Sequence, residues 1–95
     1  MTAYILFHEN IIDPEAFEEY KKISPGTIEK FGGKFIVRGG PLEELEGTVS
    51  FERVVIIEFP TKEAAKAWHN SSEYAPAKTM RQMISEGNAV LVEGF

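Results

Sequence analysis

Four side chains on predicted strands carry the strongest hint of chemistry in this 95-residue chain: Tyr4, His8, Arg38 and Glu58. Arginine presents a planar fork of donors that matches a carboxylate, so Arg38 suits either an acidic ligand or a pairing with Glu58. The structural pair is the plainer reading, because buried charges need partners whether or not they act. His8 is the candidate general base, since imidazole is the one side chain that titrates near neutrality when unperturbed. Glu58 is the second catalytic candidate. The plainer role for His8 is a strand-end histidine, solvated or bonded to a neighbouring carboxylate.

Trp68, Ser71 and Tyr74 follow a Trp-x-x-Ser-x-x-Tyr spacing. Trp68 and Tyr74 join Tyr4 and Arg38 as candidate ligand-binding residues. The simpler reading is a helix clamped onto a sheet, with Ser71 as a cap. His69 sits beside Trp68 and is expected to face solvent. Two histidines with no third ligand at metal spacing do not make a metal site. Gly39-Gly40-Pro41 reads as a turn, since it lacks the longer glycine spacing and capped helix of a phosphate cradle. Arg53 and Glu93 read as rim charges at strand ends. No cofactor is expected.

The elements that must position these groups are legible from periodicity. Residues 2–9 alternate as a strand, with Ile5 and Phe7 opposite Tyr4, Leu6 and His8. Asp13-Pro14-Glu15 is a helix start: a capping carboxylate, a proline suited to the first position and an acid for the positive end of the dipole. Phe17, Tyr20, Ile23, Ile28 and Phe31 keep near-helical spacing. Ser24-Pro25-Gly26 predicts a kink or break, and Gly32-Gly33 the helix end. Residues 34–38 predict a second strand, with Phe35 and Val37 on one face and Ile36 and Arg38 on the other. Leu42–Gly47 fits an irregular extension or a short edge piece equally well. Phe51–Phe59 predicts a third strand. Thr61 caps a helix through Trp68, and the Asn70-Ser71-Ser72 break leads to a further helix from about Glu73 to Glu86, stopped by Gly87. Asn88–Glu93 predicts the last strand.

The order β-α-β-β-α-β predicts an α+β, ferredoxin-like plait: a four-stranded antiparallel sheet with helices on one face. The set Ile5, Phe7, Phe35, Val37, Val55, Ile57 and Phe59 should meet the helices. The opposite set holds Leu6, Ile36, Val54 and Ile56 among Tyr4, His8, Arg38, Glu52 and Glu58. That face is too apolar for water, and a homodimer through it is expected.

Ninety-five residues suit one domain, 1–95. Ten Lys and Arg against fifteen Asp and Glu give −5. No basic cluster is present to neutralise phosphates, so nucleic acid is not an expected partner. The absence of cysteine excludes disulfides and thiolate chemistry. No segment approaches the roughly 20 apolar residues of a membrane span, and the start lacks the character of a signal peptide. The expectation is a cytoplasmic protein with no membrane partner.

Three segments carry a family resemblance: Asp13–Tyr20, Lys34–Gly40, and Glu52–Pro60 running into Trp68, Ser71, Tyr74 and Arg81, followed by the closing 91–94. Together they resemble the domain of unknown function 1330 family over nearly the whole chain. The resemblance implies a dimeric α+β barrel, in which two ferredoxin-like protomers close their sheets into a barrel. The wider fold includes cofactor-free monooxygenases, haem-degrading oxygenases, chlorite dismutase-like enzymes, muconolactone isomerases and stress-responsive proteins, and fold alone does not choose among them. Haem-degrading relatives carry a ligating histidine ten residues after the corresponding tryptophan. Lys78 stands there instead, and a protonated amine is a poor iron ligand. Two functions of different class follow as expectations. One is a pocket at the sheet that binds a small acidic or aromatic molecule, with a monooxygenase- or isomerase-like activity as its extension. The other is a non-catalytic structural or stress-related homodimer.

Overall fold

In a computed structural model describing residues 1–95, the chain runs β1 (Ala3–Ile11), α1 (Pro14–Lys30), β2 (Lys34–Arg38), β3 (Arg53–Phe59), α2 (Lys62–His69), α3 (Ala75–Ile84) and β4 (Ser85–Glu93). The strands form one antiparallel sheet in the order β2-β3-β1-β4. The helices cover one face of it. The plait expected from element order is the fold observed.

Most local signals act as their chemistry dictates. The Asp13 carboxylate accepts the Ala16 N–H at 3.2 Å, and Thr61 Oγ1 accepts the Ala64 N–H at 3.1 Å. Ser71 does two jobs at the break between α2 and α3. Its hydroxyl donates to the Trp68 carbonyl at 2.7 Å and accepts the Tyr74 N–H at 3.1 Å.

Two expectations along the helices need correction. Pro25 does not break α1, which is helical on both sides of it. Proline leaves the Lys21 carbonyl without its usual N–H donor. The Arg38 guanidinium supplies one instead, at 2.9 Å. Gly87 does not stop a helix either. The last helix ends at Ile84, and the chain turns directly into β4, where Gly87 lies opposite Glu9. Its φ of 146° and the His8 carbonyl against its α-carbon leave no room for a side chain. The segment between β2 and β3, left open by sequence, contains no helix or strand.

The core lies between sheet and helices. Ile5, Phe7, Val55, Ile57 and Phe59 pack there with Phe17, Tyr20, Ile28, Ala65, Trp68, Tyr74, Ala77 and Ile84. Trp68 and Tyr74 are wholly buried and stack with ring centroids 4.0 Å apart. Phe59 meets Trp68 in a tilted pair at 5.6 Å, and Phe7 meets it edge-on at 6.3 Å.

The opposite face is uncovered. Register places Ile56, Leu6 and Val90 in one row across β3, β1 and β4, with Val54 and Val92 in the flanking rows. Ile36, Val90 and Val92 are 47%, 46% and 47% exposed. β2 departs from simple alternation. A register shift between Phe35 and Val37 sets Val37 opposite Ile56 and Arg38 opposite Val55. The extra residue of a bulge exchanges the two faces beyond it. Val37 therefore leaves the helix-facing set, and Arg38 enters it.

Candidate functional site

The uncovered face keeps three of the predicted site residues. Glu58 pairs with Lys34, Oε2 to Nζ 3.1 Å, and receives a long 3.5 Å contact from the Tyr4 hydroxyl. His8 holds the Asn88 side-chain oxygen at 2.9 Å through Nδ1 and stacks on Phe51 at 4.4 Å. His8 and Glu58 sit two register rows from one another, opposite Val54 and Tyr4 respectively. The face offers no joint acid–base pair.

Arg38 is on the other side of the sheet. Besides bonding the Lys21 carbonyl, its guanidinium lies over the Phe35 ring at 4.4 Å. It cannot meet Glu58 across the sheet, so the expected Arg38–Glu58 pair does not form. Trp68 and Tyr74 belong to the core. Trp68 Nε1 donates to Thr27 Oγ1 at 3.0 Å, which satisfies the one polar atom of a buried ring. The candidate set thus divides, with Tyr4, His8 and Glu58 outside and Arg38, Trp68 and Tyr74 inside.

The inner face holds a charged cluster that sequence reading passed over. Glu9 extends the helix-facing series Ala3, Ile5, Phe7 and is only 3% exposed. Arg53 is its register partner on β3. Arg53 Nε stands 3.7 Å from Glu9 Oε1, too far for a hydrogen bond, and neither that Nε nor Glu9 Oε2 has a bonding partner. Gly39, at φ 72°, lets the chain pass directly against the Arg53 guanidinium, where any side chain would collide with it. Arg53 also lies over the Phe17 ring at 5.0 Å, and Arg81 from α3 lies over Phe7 at 4.8 Å. Arg81 Nε donates to the Tyr74 hydroxyl at 3.2 Å, and that hydroxyl shares a 2.7 Å hydrogen bond with Tyr20.

Burial governs the protonation of this group. It pushes the Glu9 carboxyl above the ordinary carboxylate range, with Arg81 and Arg53 pulling it partly back. It raises both phenols, Tyr20 the more strongly because Tyr74 adjoins it, so both stay protonated at neutral pH. Glu9 is therefore the one group of the cluster poised to exchange a proton as pH changes.

Glu9 separates two spaces. On the α1 side lies a void of about 20 Å³ bordered by Glu9, Tyr20, Arg38 and Arg53. On the other side an open cleft of about 290 Å³ is lined by His8, Glu9, Arg81, Gln82, Ser85, Glu86, Gly87 and Asn88. The cleft has no apolar residue on its walls. Simple alternation could have placed Glu9 and Arg53 inside, at the ends of the Ile5–Phe7 and Val55–Ile57 series. From sequence alone Arg53 instead reads as a rim charge and Glu9 has no role.

Comparison with known proteins agrees with the fold. The family model described as domain of unknown function (DUF1330) matches residues 2–95. No curated protein matches the chain. The crystal structure of RPA0582, a protein of unknown function from Rhodopseudomonas palustris, superimposes with a TM-score of 0.80 at 19% identity, covering 99% of this chain and 82% of that one. A dimeric ferredoxin-like protein of unknown function from Jannaschia sp. CCS1 gives 0.69 at 19% identity, over 97% and 96%. SnoaB, a cofactor-independent oxygenase from Streptomyces nogalater, gives 0.64 at 17% identity, over 99% and 91%.

Proposed function

The chain belongs to the domain of unknown function 1330 family, and we propose that it is a homodimer whose protomers each bind a small organic acid in the polar cleft ending at Glu9 and Arg81. The observation that carries this reading is Glu9 itself: a buried carboxyl, one oxygen unbonded, at the inner end of a cleft and flanked by two arginines. An orphaned buried acceptor is costly unless it serves a ligand, a water or a proton transfer. Arg81 commits Nε to Tyr74. Its two terminal nitrogens remain for a ligand carboxylate. A protonated Glu9 would donate to a second ligand oxygen, and proton transfer is the reaction step this pair supports.

The dimer rests on the uncovered sheet face, whose central row is apolar and whose Ile36, Val90 and Val92 are about half exposed. The description of the Jannaschia relative as dimeric supports it. The oxygenase activity of SnoaB belongs to that protein, and likeness of fold does not carry it here.

A second reading has its own support. The void beside Glu9 has room for about one water, which would satisfy Glu9 Oε2 and Arg53 Nε without any ligand. The cluster would then be structural and the dimer non-catalytic. A thermal-shift screen with small mono- and dicarboxylates separates the two. Ligand binding raises the melting temperature of the wild type. Under the first reading Arg81→Gln and Glu9→Gln lose that rise. No rise with any carboxylate, or a rise that survives both substitutions, favours the second.

A further inference from the structure

Away from the Glu9 cluster, a separate half-open slot of about 110 Å³ lies between α2 and the β4 edge, lined by Ile5, Ala65, Lys66, His69, Asn70, Ala89, Val90 and Leu91. We propose that this slot is a second small-molecule site, taking a small carboxylate with an apolar body, its oxygens on His69 and Lys66 and its body on Ile5, Ala89 and Leu91.

The slot exists because β4 is an edge strand that the helices only partly cover. Ala89 is exposed and Leu91 half-buried, although both point to the helix side beside Phe7 and Ile5. Ala65, wholly buried on α2, lets the helix sit close and forms the apolar back wall. The walls are therefore apolar and the rim polar, the usual composition of a ligand pocket.

The rim also sets the ligand's charge. On a chain of net charge −5, no acidic residue lines this slot, and Lys66 does. The protonation of His69 follows from its neighbour. Lys78 Nζ stands 3.5 Å from His69 Nδ1 and donates to the His69 carbonyl at 3.2 Å. An ammonium has donors only, so Nδ1 must accept and the ring proton must sit on Nε2. Burial, then Lys78 and Arg81, hold the His69 pKa below its ordinary 6.5, which keeps the ring neutral. The imidazole that lines the slot thus carries its one N–H on Nε2. A donor beside an ammonium over apolar walls selects a carboxylate in preference to a cation or a neutral hydrocarbon.

Trp68 is the only tryptophan, and its ring centroid lies 6.2 Å from that of His69, so its fluorescence reports on the slot. The test is a titration of the full chain with benzoate, with benzamide as the uncharged control. Benzoate is expected to change Trp68 emission saturably and benzamide to bind at least fivefold more weakly. Ala89→Leu should fill the slot and abolish the response, while circular dichroism reports an unchanged fold, since residue 89 is exposed. His69→Ala should weaken benzoate about tenfold by removing a hydrogen bond to a charged group. Lys66→Gln should weaken it up to about fivefold, the weight of an exposed charge contact. Glu63→Gln, exposed on α2 and lining neither cavity, should leave it unchanged. The proposal is overturned if benzoate does not saturate the signal, or if Ala89→Leu binds it as the wild type does.

Discussion

The two faces of one sheet have been solved differently. The inner face joins Ile5, Phe7, Val55, Ile57 and Phe59 to a sealed aromatic layer and ends in a charged cluster at Glu9, Arg53 and Arg81. The outer face carries a comparable apolar row, Leu6, Ile56 and Val90, with nothing upon it, and its polar residues pair locally at the margins. Charge therefore lies on the covered face, and apolar surface lies where water has access. Each inversion has a physical consequence. A buried charge perturbs protonation and invites chemistry, whereas an exposed apolar row invites a partner.

Four tests probe that contrast, in order of falling effect. Trp68→Ala should be the most damaging, costing about 3–5 kcal/mol as the aromatic layer loses its largest member. Measured by urea unfolding, that loss takes a large share of the roughly 5–15 kcal/mol a domain possesses. A cost under about 1 kcal/mol would mean the inner layer is not sealed. Ile56→Lys should leave the protomer folded but add an unpaired charge to the outer row. The proposed dimer should weaken by about 3 kcal/mol or more, read as a monomer by sedimentation velocity. A dimer that persists unchanged places the interface elsewhere.

The third test compares two tyrosines. Tyr74→Phe strips Tyr20 and Arg81 of a shared partner in the core and should cost about 1–3 kcal/mol. Tyr4→Phe removes only a long contact to Glu58 and should stay within about 0.5 kcal/mol. Equal costs would erase the distinction between the faces.

The smallest effect is one of pH. The folded Glu9 carboxyl titrates above its ordinary 4.5, so on raising pH the unfolded chain releases this proton first. Stability from this group is therefore present below pH 4.5 and falls as pH rises through the folded value. Glu9→Gln cannot release a proton. The difference in unfolding free energy, wild type minus variant, should drop across that window and then level off. A flat difference from pH 4 to 8 would mean that burial does not perturb Glu9.

Much of this molecule is written in local sequence. Capping at Asp13 and Thr61, alternation along β1 and β3 and the Trp68–Ser71–Tyr74 clamp each follow from residue type and spacing over a few positions. These features identify the plait and the two-faced sheet, because hydrogen-bonded periodicity and turn chemistry are short-range. The site residues divided less well. Tyr4, His8 and Glu58 lie on the face that alternation assigns them, while Arg38 does not, because alternation holds only while the register does.

What the tertiary structure alone decided lies in contacts between distant segments. A bulge in β2 turns Arg38 inward, where it bonds the carbonyl that Pro25 leaves free, so a helix-breaking residue and a strand irregularity complete each other. Glu9, Arg53 and Arg81 come from three separate elements. Alternation puts Glu9 and Arg53 on the inner face, but neither their meeting with Arg81 nor the orphaned oxygen can be read from any window of sequence. Periodicity states which way a side chain points from its own strand. Only packing states what it meets, and here the meeting of one carboxyl with two arginines is what makes a candidate site.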